Sequence, residues 1–541
     1  MNYTKKALVA LSIALSLTLA ACGNQTATTQ NNTNDKTLHL MDNTDIVSLD
    51  SSLALDGASL NALNSVMEGL YMPNEKGEYV PAAAKSYKVS KDGKVYTFTL
   101  RDSNYSNGDK VTANDFVFAM RRALDPKTKA QFAYDLYDVK NAKEINQGKL
   151  AVDKLGVTAL DEKTLRIELN RAIPYFIQLT SLPMYFPLNE KFVKQQGDRY
   201  GLEANTTLYN GPFVVSSWEH GTGFTMKKNP EYYDKQAVKV NAIDVKIMKE
   251  TSTAVNLYET GELDQAIIDS NVIDRFKGKK ELNKLAMPII SYISFNQKNP
   301  LLANEKARKA IANAFNKDDI SKVLLNDGSI PTDRIIPKGL VMDTKGVDFV
   351  KSTSHPSTIS LENAKGLFNE AMKESGKGNV TLSLLVNESD TSRKIGEYLK
   401  SQLESNLKGL TINIVVQPAQ QKFELRQQGD YDLSLDTWGA DYPDPTTYLE
   451  LFTSKSALNV LSYKNNQYDQ LIDTANTKDI QNEAARTKTL HEAEDMLLND
   501  AVIAPLYQAG YVYLQNQSVK GIKVRPFVGY FYYKYAEKNA K

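Results

Sequence analysis

Two apolar runs, Val380 to Val386 and Leu410 to Val416, flank an amphipathic stretch from Ser392 to Leu407. Strand, helix, strand at this spacing implies a parallel βαβ unit, with the helix crossing over one face of the sheet. That unit commits the later half of the chain to α/β architecture. The same half carries helical stripes at Glu305 to Phe315, where Ala307, Ala310, Ile311 and Phe315 share one side, and at Glu362 to Met372. A chain of 541 residues suggests about three or four domain-sized units.

The earlier half is patterned differently. Leu38 to Met41 reads as a strand, and Ser59 to Leu70 as a helix with Leu60, Leu63, Val66, Met67 and Leu70 in one stripe. Asp92-Gly93 is a turn before the alternating strand Val95 to Leu100. Thr112 to Asp115 has the form of a capping box and opens a helix through Arg122, which Asp125-Pro126 ends. This segment reads as a small α+β unit. Further strands are expected at Phe213 to Val215, after the Asn210-Gly211 turn, at Phe224 to Lys228 and across Val240 to Met248. Leu257 to Asp264 reads as a helix end leading into a strand.

Cys22 is the only cysteine. It follows Lys5, Lys6 and the apolar run Ala7 to Ala21, the order of a secretory signal and shorter than the ~20 residues of a membrane-spanning helix. Leu19-Ala20-Ala21-Cys22 resembles the lipobox of bacterial lipoproteins, where the cysteine sulfur takes a diacylglycerol and the chain is cut just before it. The other reading is a chance cysteine after an ordinary signal. Residues 23–36 lack apolar periodicity and read as a spacer that lets a body stand off the bilayer. With no other thiol, disulfides, cysteine metal sites and cysteine nucleophiles are excluded from the folded body.

Basic and acidic residues balance at 65 and 64, so no global field draws nucleic acid. His39, His220, His355 and His491 are far apart, and none falls in a metal spacing. Nucleophile-elbow, phosphate-loop and dinucleotide fingerprints are missing. Nothing here demands catalysis, a cofactor or a metal.

One segment stands apart. Tyr431 to Trp438 reads as a strand that runs into Gly439-Ala440-Asp441-Tyr442-Pro443-Asp444-Pro445. Each proline fixes its own φ and biases the residue before it toward extended backbone, so the loop is stiff. Trp438 and Asp441 would be displayed at a strand end, where α/β sheets tend to bind ligands. A surface turn with a buried tryptophan explains the pattern as well.

Taken in order, several stretches resemble the substrate-binding lipoproteins of bacterial ABC peptide importers, solute-binding protein family 5, and most of all their oligopeptide-binding branch. They are Glu68-Gly69-Leu70-Tyr71, Tyr96 to Arg101 with Asn107-Gly108, Val111 to Val117, and Arg121 to Pro126. Asn210-Gly211-Pro212-Phe213, Lys228 to Tyr233 and Trp438 to Pro445 complete the set. Each is weak alone; in this order over residues 38–541 they are specific.

The resemblance implies a two-lobed periplasmic-binding-protein-like fold (type II, cluster C) with an extra inserted α+β domain. Residues 1–21 would be the signal peptide and 22–37 a lipid-anchored tether. Lobe I would take 38–71, 179–290 and 511–541, the inserted domain 72–178, and lobe II 291–510. The chain would cross between lobes near Ile289 to Asn296 and near Pro505 to Val512, forming a hinge. The expected partners are a peptide ligand, permease subunits and the membrane itself, reached through Cys22 on the extracytoplasmic face of a Gram-positive cell. The protein would be a monomer and not an enzyme. In that branch the ligand lies extended and is held through its backbone. Asp441 occupies the place of the carboxylate that holds the peptide's α-ammonium, and Trp438, Gly439 and Ala440 line the same wall. Segment matching brings Asp56, Ala58, Phe132, Tyr292, Asn387 and Arg426 near the cleft.

The chain departs from the enteric pattern where Gly439 replaces a cysteine, Leu435 an arginine and Ser392 a histidine. Those positions help hold the peptide's C-terminal carboxylate, so preferred length stays open. The same family also serves signalling peptides, haem and nickel chelates, and a secreted hydrolase or adhesin is the reading outside it.

Overall fold

The computed structural model describes residues 36–74, 78–343, 346–351, 359–456, 458–524 and 531–539. The expected signal segment, Cys22, nearly all of the tether, and His355 lie outside the described residues. Among the described residues no helix is long and apolar enough to cross a membrane.

The chain opens with β1 (Thr37–Asp42) and α1 (Gly57–Val66). It then builds a four-stranded antiparallel sheet from β2 (Ala84–Val89), β3 (Val95–Leu100), β4 (Val157–Asp161) and β5 (Thr164–Glu168), in the order β2-β3-β5-β4. Between β3 and β4, α2 (Ala113–Leu124) packs its Phe116, Met120 and Leu124 face on that sheet around Phe98, Leu165 and Ile167. Asp115 accepts the Thr112 backbone N–H at 2.7 Å, satisfying a donor at the helix start. The chain returns as β6 (Phe213–Glu219), β7 (Gly223–Lys228) and β8 (Ala242–Ile247), which join β1 in the order β1-β8-β7-β6. β1 pairs parallel to β8, with Leu38 opposite Ile243 and Leu40 opposite Val245. These apolar partners form a core with Leu63 and Val66 of α1.

The predicted helix from Ser59 to Leu70 stops four residues early, at Val66. Tertiary hydrogen bonds peel off the rest. The Val66 carbonyl accepts Gly211 N–H at 2.9 Å, Glu68 N–H donates to the Asn210 side chain, and the Asn210 amide donates back to the Glu68 carbonyl at 2.8 Å. A Cβ on Gly211 would meet the Val66 backbone at 2.6 Å, so only glycine permits this approach. Asn229 donates to the Gly211 carbonyl, and Tyr232 donates to the buried Glu68 carboxylate at 2.7 Å. Three stretches that carried the family resemblance thus hold one another.

The later half centres on a seven-stranded mixed sheet. In chain order its parts are β9 (Gln265–Ile267), β10 (Leu282–Phe295), α3 (Glu305–Ala312), β11 (Ile330–Pro331), α4 (Leu361–Ser375), β12 (Val380–Asn387) and α5 (Asp390–Asn406). β13 (Leu410–Gln417), α6 (Ala419–Gln428), β14 (Leu433–Gly439), α7 (Glu483–Asn499) and β15 (Ile503–Gln515) follow. The strand order is β9-β15-β10-β14-β12-β13, with β11 on β15. The expected βαβ unit is present: β12 and β13 pair in parallel from Val380 opposite Leu410 to Asn387 opposite Gln417. The expected helix to Phe315 ends at Ala312, and Asn313 caps it through its own backbone N–H.

β10 and β15, of 14 and 13 residues, pair antiparallel with each other. Their register slips between Ala286, which faces Gly510, and Ile290, which faces Gln508. Before the slip β15 carries β9 on its other side; after it β10 also pairs with β14. Neither long strand stood out from its sequence, because both are broken by proline, at Pro288 and Pro505.

Candidate functional site

β14 alternates and is nearly fully buried from Leu433 to Asp436, so the chain emerges only at its carboxyl end. Its register against β10 places Tyr292 opposite Asp436, Ile290 opposite Trp438 and Ile289 opposite Gly439. The loop that follows is fastened at each step. Ala440 N–H donates to the Pro288 carbonyl at 2.9 Å, and Tyr448 O–H donates to the same oxygen. Asp441 N–H donates to Thr447 Oγ1 at 3.1 Å. The Asp444 carboxylate accepts two bonds from the Arg486 guanidinium, at 2.7 and 2.8 Å, and two from Thr446. A bidentate, buried arginine–carboxylate pair fixes geometry as well as energy. The prolines stiffen this loop, and Asp444 with Arg486 on α7 locks it.

Asp441 is part-buried at the tip. Tyr134, on the short helical turn Gln131–Leu136 of the α2–β4 connection, donates its phenolic O–H to Asp441 Oδ1 at 3.2 Å. Burial pushes the Asp441 carboxyl up to about 6, against the pull of hydrogen bonds from Tyr134 and Thr447. Among the described residues only neutral groups, Tyr134 and Thr447, support this carboxylate. Asp135 lies beside it, and burial together with the Asp441 charge raises its carboxyl well above the usual range.

The two segments meet along a seam. Tyr175 stacks on Tyr442, with centroids 4.5 Å apart and planes 7° from parallel. Arg171 pairs with Asp138 at 3.1 Å and with Glu450 at 3.5 Å, and Asn476 donates to Glu450 at 2.6 Å. Trp438 is part-buried, and its indole N–H is buried without an acceptor among the described residues.

Two residues up the strand lies a second polar cluster. The buried Asp436 accepts from Ser294 at 2.6 Å and Ser434 at 2.8 Å, and pairs at 3.0 Å with both Lys422 and Arg426. Burial works to raise its carboxyl, but Arg426 and Lys422 hold it below the ordinary value. Tyr292 packs here at 4% exposure, edge-on to Phe452.

The sequence-chosen residues therefore divide. Trp438, Gly439, Ala440 and Asp441 are consecutive at the carboxyl end of β14, and Phe132 reaches their neighbourhood through its edge contact with Tyr134, centroids 5.9 Å apart, which in turn bonds Asp441. Tyr292 and Arg426 converge on Asp436, where the Arg426 charge is already matched. Asn387 ends β12 opposite Gln417. Asp56 caps α1, taking the Ser59 N–H at 2.8 Å and the Ser59 hydroxyl, and Ala58 is buried at 1% exposure. Neither Asp56 nor Ala58 shares a hydrogen bond with the Asp441 wall among the described residues. Sequence reasoning missed Tyr134, although its ring contacts the chosen Phe132. It also missed Asp444, whose Asp-Pro-Thr setting is a turn signal. Among the described residues no three His, Cys, Asp or Glu side chains form a group that could hold a metal ion.

The profile of the bacterial extracellular solute-binding proteins, family 5, matches residues 78–459. A dipeptide-binding protein of Lactococcus lactis is 33% identical, over 94% of this chain and 95% of its own. The substrate-binding domain of an oligopeptide ABC transporter of Bacillus anthracis is 41% identical and superposes with a TM-score of 0.77, covering 94% of this chain and 99% of its own. The Listeria monocytogenes OppA bound to peptide is 34% identical, also with a TM-score of 0.77, over 93% and 99% of the two chains.

Proposed function

Because this chain belongs to the bacterial extracellular solute-binding proteins of family 5, with their two-lobed α/β fold, we propose that it captures peptides outside the cytoplasm and delivers them to the permease of an ABC importer. The observation that carries this reading is Asp441: a part-buried carboxylate on a locked loop, supported by neutral groups alone, and facing Tyr134 across the seam. A peptide's α-ammonium supplies the missing charge. Once paired, the removal of either partner costs ~3–5 kcal/mol. Trp438 with its unsatisfied indole N–H, Gly439 and Ala440 offer the adjoining wall for an extended backbone.

The chain is a binding protein and carries out no hydrolysis of its ligand. It works as a monomer, held to the extracytoplasmic face of the membrane by a lipid on Cys22. Two acyl chains make such an anchor stable, where one is marginal. Lobe I comprises 38–71, 179–290 and 511–541, the inserted domain 72–178 and lobe II 291–510. The register slip between β10 and β15 supports placing the hinge there.

Native mass spectrometry of the purified protein is expected to show co-purifying short peptides, and calorimetry to show that Asp441→Asn abolishes their binding. Repeated absence of peptide, together with no binding from a mixed pool, overturns the reading.

A further inference from the structure

A cavity of about 460 Å³ opens beside the crossing strands. Ala286 of β10 lines it, the residue that faces Gly510 at the register slip. So do Ile330 of β11 and, around a turn whose ends Met342 and Asp348 bridge antiparallel, Met342 and Val347. Ile330, Met342 and Val347 are large apolar side chains, yet they stand 38%, 53% and 41% exposed at this one place. The turn is held by its own bonds: Asp343 N–H donates to the Val347 carbonyl at 2.9 Å, and Val347 N–H to the Asp343 carboxylate at 2.7 Å. Two exposed cations, Lys338 and Lys351, share the lining, and neither pairs with a carboxylate among the described residues. Asp348 lines the cavity too, but it is buried and already engaged, accepting Gly339 N–H at 2.9 Å and Val350 N–H at 3.2 Å. The flanking residues 344–345 and 352–358 include no Asp or Glu. The lysine segment is fastened to the crossing strands. The buried Gln508 of β15 accepts Lys338 N–H at 3.0 Å and donates to the Lys338 and Met287 carbonyls, each at 2.9 Å.

We propose that this cavity is a second ligand site, separate from the Asp441 wall, and that it takes a small amphipathic carboxylate. The apolar body lies on Ile330, Met342 and Val347, and Lys338 and Lys351 match the charge. A cavity of a few hundred Å³ with a mostly apolar lining and few polar groups suits a small molecule. Apolar side chains exposed together mark a contact surface, and an unbranched methionine adapts to ligands of differing shape. The lysine stems extend the apolar lining while their ammonium heads stay available. A free peptide would bring an α-ammonium that no disengaged carboxylate here can meet, so the site discriminates against the ligand proposed for Asp441. Ala286, Met287 and Gln508 belong to the crossing strands. An occupant that favours one arrangement of the cavity therefore shifts the balance of lobe positions, and peptide affinity with it. That coupling rests on the hinge placed at the slip; the site itself does not.

Octanoate is the probe, with octanamide, octylamine and acetate as controls for charge, its sign and the apolar body. Calorimetry and melting temperature on the full mature chain are expected to show octanoate binding to wild type. Octanamide should bind roughly ten-fold more weakly, as for losing a charge-assisted hydrogen bond, and octylamine and acetate should not register. The double variant Lys338→Gln, Lys351→Gln should hold octanoate no better than octanamide, and Met342→Glu should bind neither. All three side chains are exposed, so melting temperature and peptide affinity without octanoate should stay at wild-type values, which separates a lost site from a lost fold. Octanoate that does not bind wild type, or that binds these variants as it binds wild type, overturns the proposal and leaves peptide capture intact. Saturating octanoate should change the peptide affinity of wild type by about five-fold or more, and that of the double variant not at all. An unchanged peptide affinity with octanoate bound overturns the coupling alone. Octanoate binding to a wild type that takes no peptide upholds the site and overturns peptide capture.

Discussion

The rings of Tyr175 and Tyr442 lie face to face, 4.5 Å between centroids, although 267 positions separate them in the chain (442 − 175). With Tyr134–Asp441 and Arg171–Glu450 they make a seam that flanks the Asp441 carboxylate. An aromatic pair contributes about 0.5–1.5 kcal/mol beyond its buried area. Tyr442→Ala is expected to speed peptide dissociation and weaken affinity by up to about ten-fold. Stopped-flow displacement measures this, and an unchanged dissociation rate would remove the seam from the ligand-holding machinery.

The Asp441 carboxyl, raised by burial from 3.8 to about 6, links the site to pH. A raised carboxyl binds its proton more tightly in the folded state. Its contribution to the stability of the unliganded protein is therefore fully present below about 3.8 and is lost as pH rises through about 6. An ammonium ligand needs the ionised form and offsets that loss. The melting-temperature increase on adding peptide should be large near about pH 7.5 and shrink as pH falls through the Asp441 value. Unliganded Asp441→Asn should lack this part of the pH slope; an identical slope would assign the titration elsewhere.

Arg334 and Glu494 form an ion pair with side-chain exposures of 2% and 0%. Glu494 also accepts the Ile336 N–H at 3.1 Å, so it ties the segment after β11 to α7. Arg334→Met leaves that carboxylate buried and unmatched, and should lower unfolding free energy by ~3–5 kcal/mol in urea titration. Peptide affinity of the folded fraction should be unaffected, since the pair lies outside the seam.

Gly510 faces Ala286 at the register slip, and a Cβ there would sit 2.2 Å from the Gly328 carbonyl carbon and 2.3 Å from Ser329 N. Both neighbours are backbone and cannot rotate away. Gly510→Ala should destabilise the protein by about 1–3 kcal/mol. It should also change the shape difference between free and peptide-bound protein in small-angle scattering. An alanine variant with wild-type melting and scattering would show that this crossing is slack.

Local pattern revealed the βαβ unit because Val380–Asn387, α5 and Leu410–Gln417 each satisfy their own periodicity and then pack on one another. The stiff loop that carries Asp441 was legible for a similar reason: a strand end followed by Gly, Asp and two Pro is written in consecutive residues. What stayed hidden depends on partners far along the chain. Residues 67–70 keep a helical stripe, yet Asn210, Gly211 and Thr180 claim their backbone groups and unwind them. Segment matching points to Arg426 near the cleft, while its ion pair with Asp436 at 3.0 Å is not written in the local pattern.

Pro288 has no N–H to give, and its carbonyl takes two hydrogen bonds from the Asp441 loop, one from Ala440 and one from Tyr448. The same residue sits inside the slip where β10 loses step with β15. Loop and slip are therefore cut from one piece of backbone, like the bit and the shank of a key. On the proposed hinge, a shift of the loop would reach the crossing strands through backbone alone. What a membrane partner would sense is then the angle of the whole body, a quantity blind to which peptide set it.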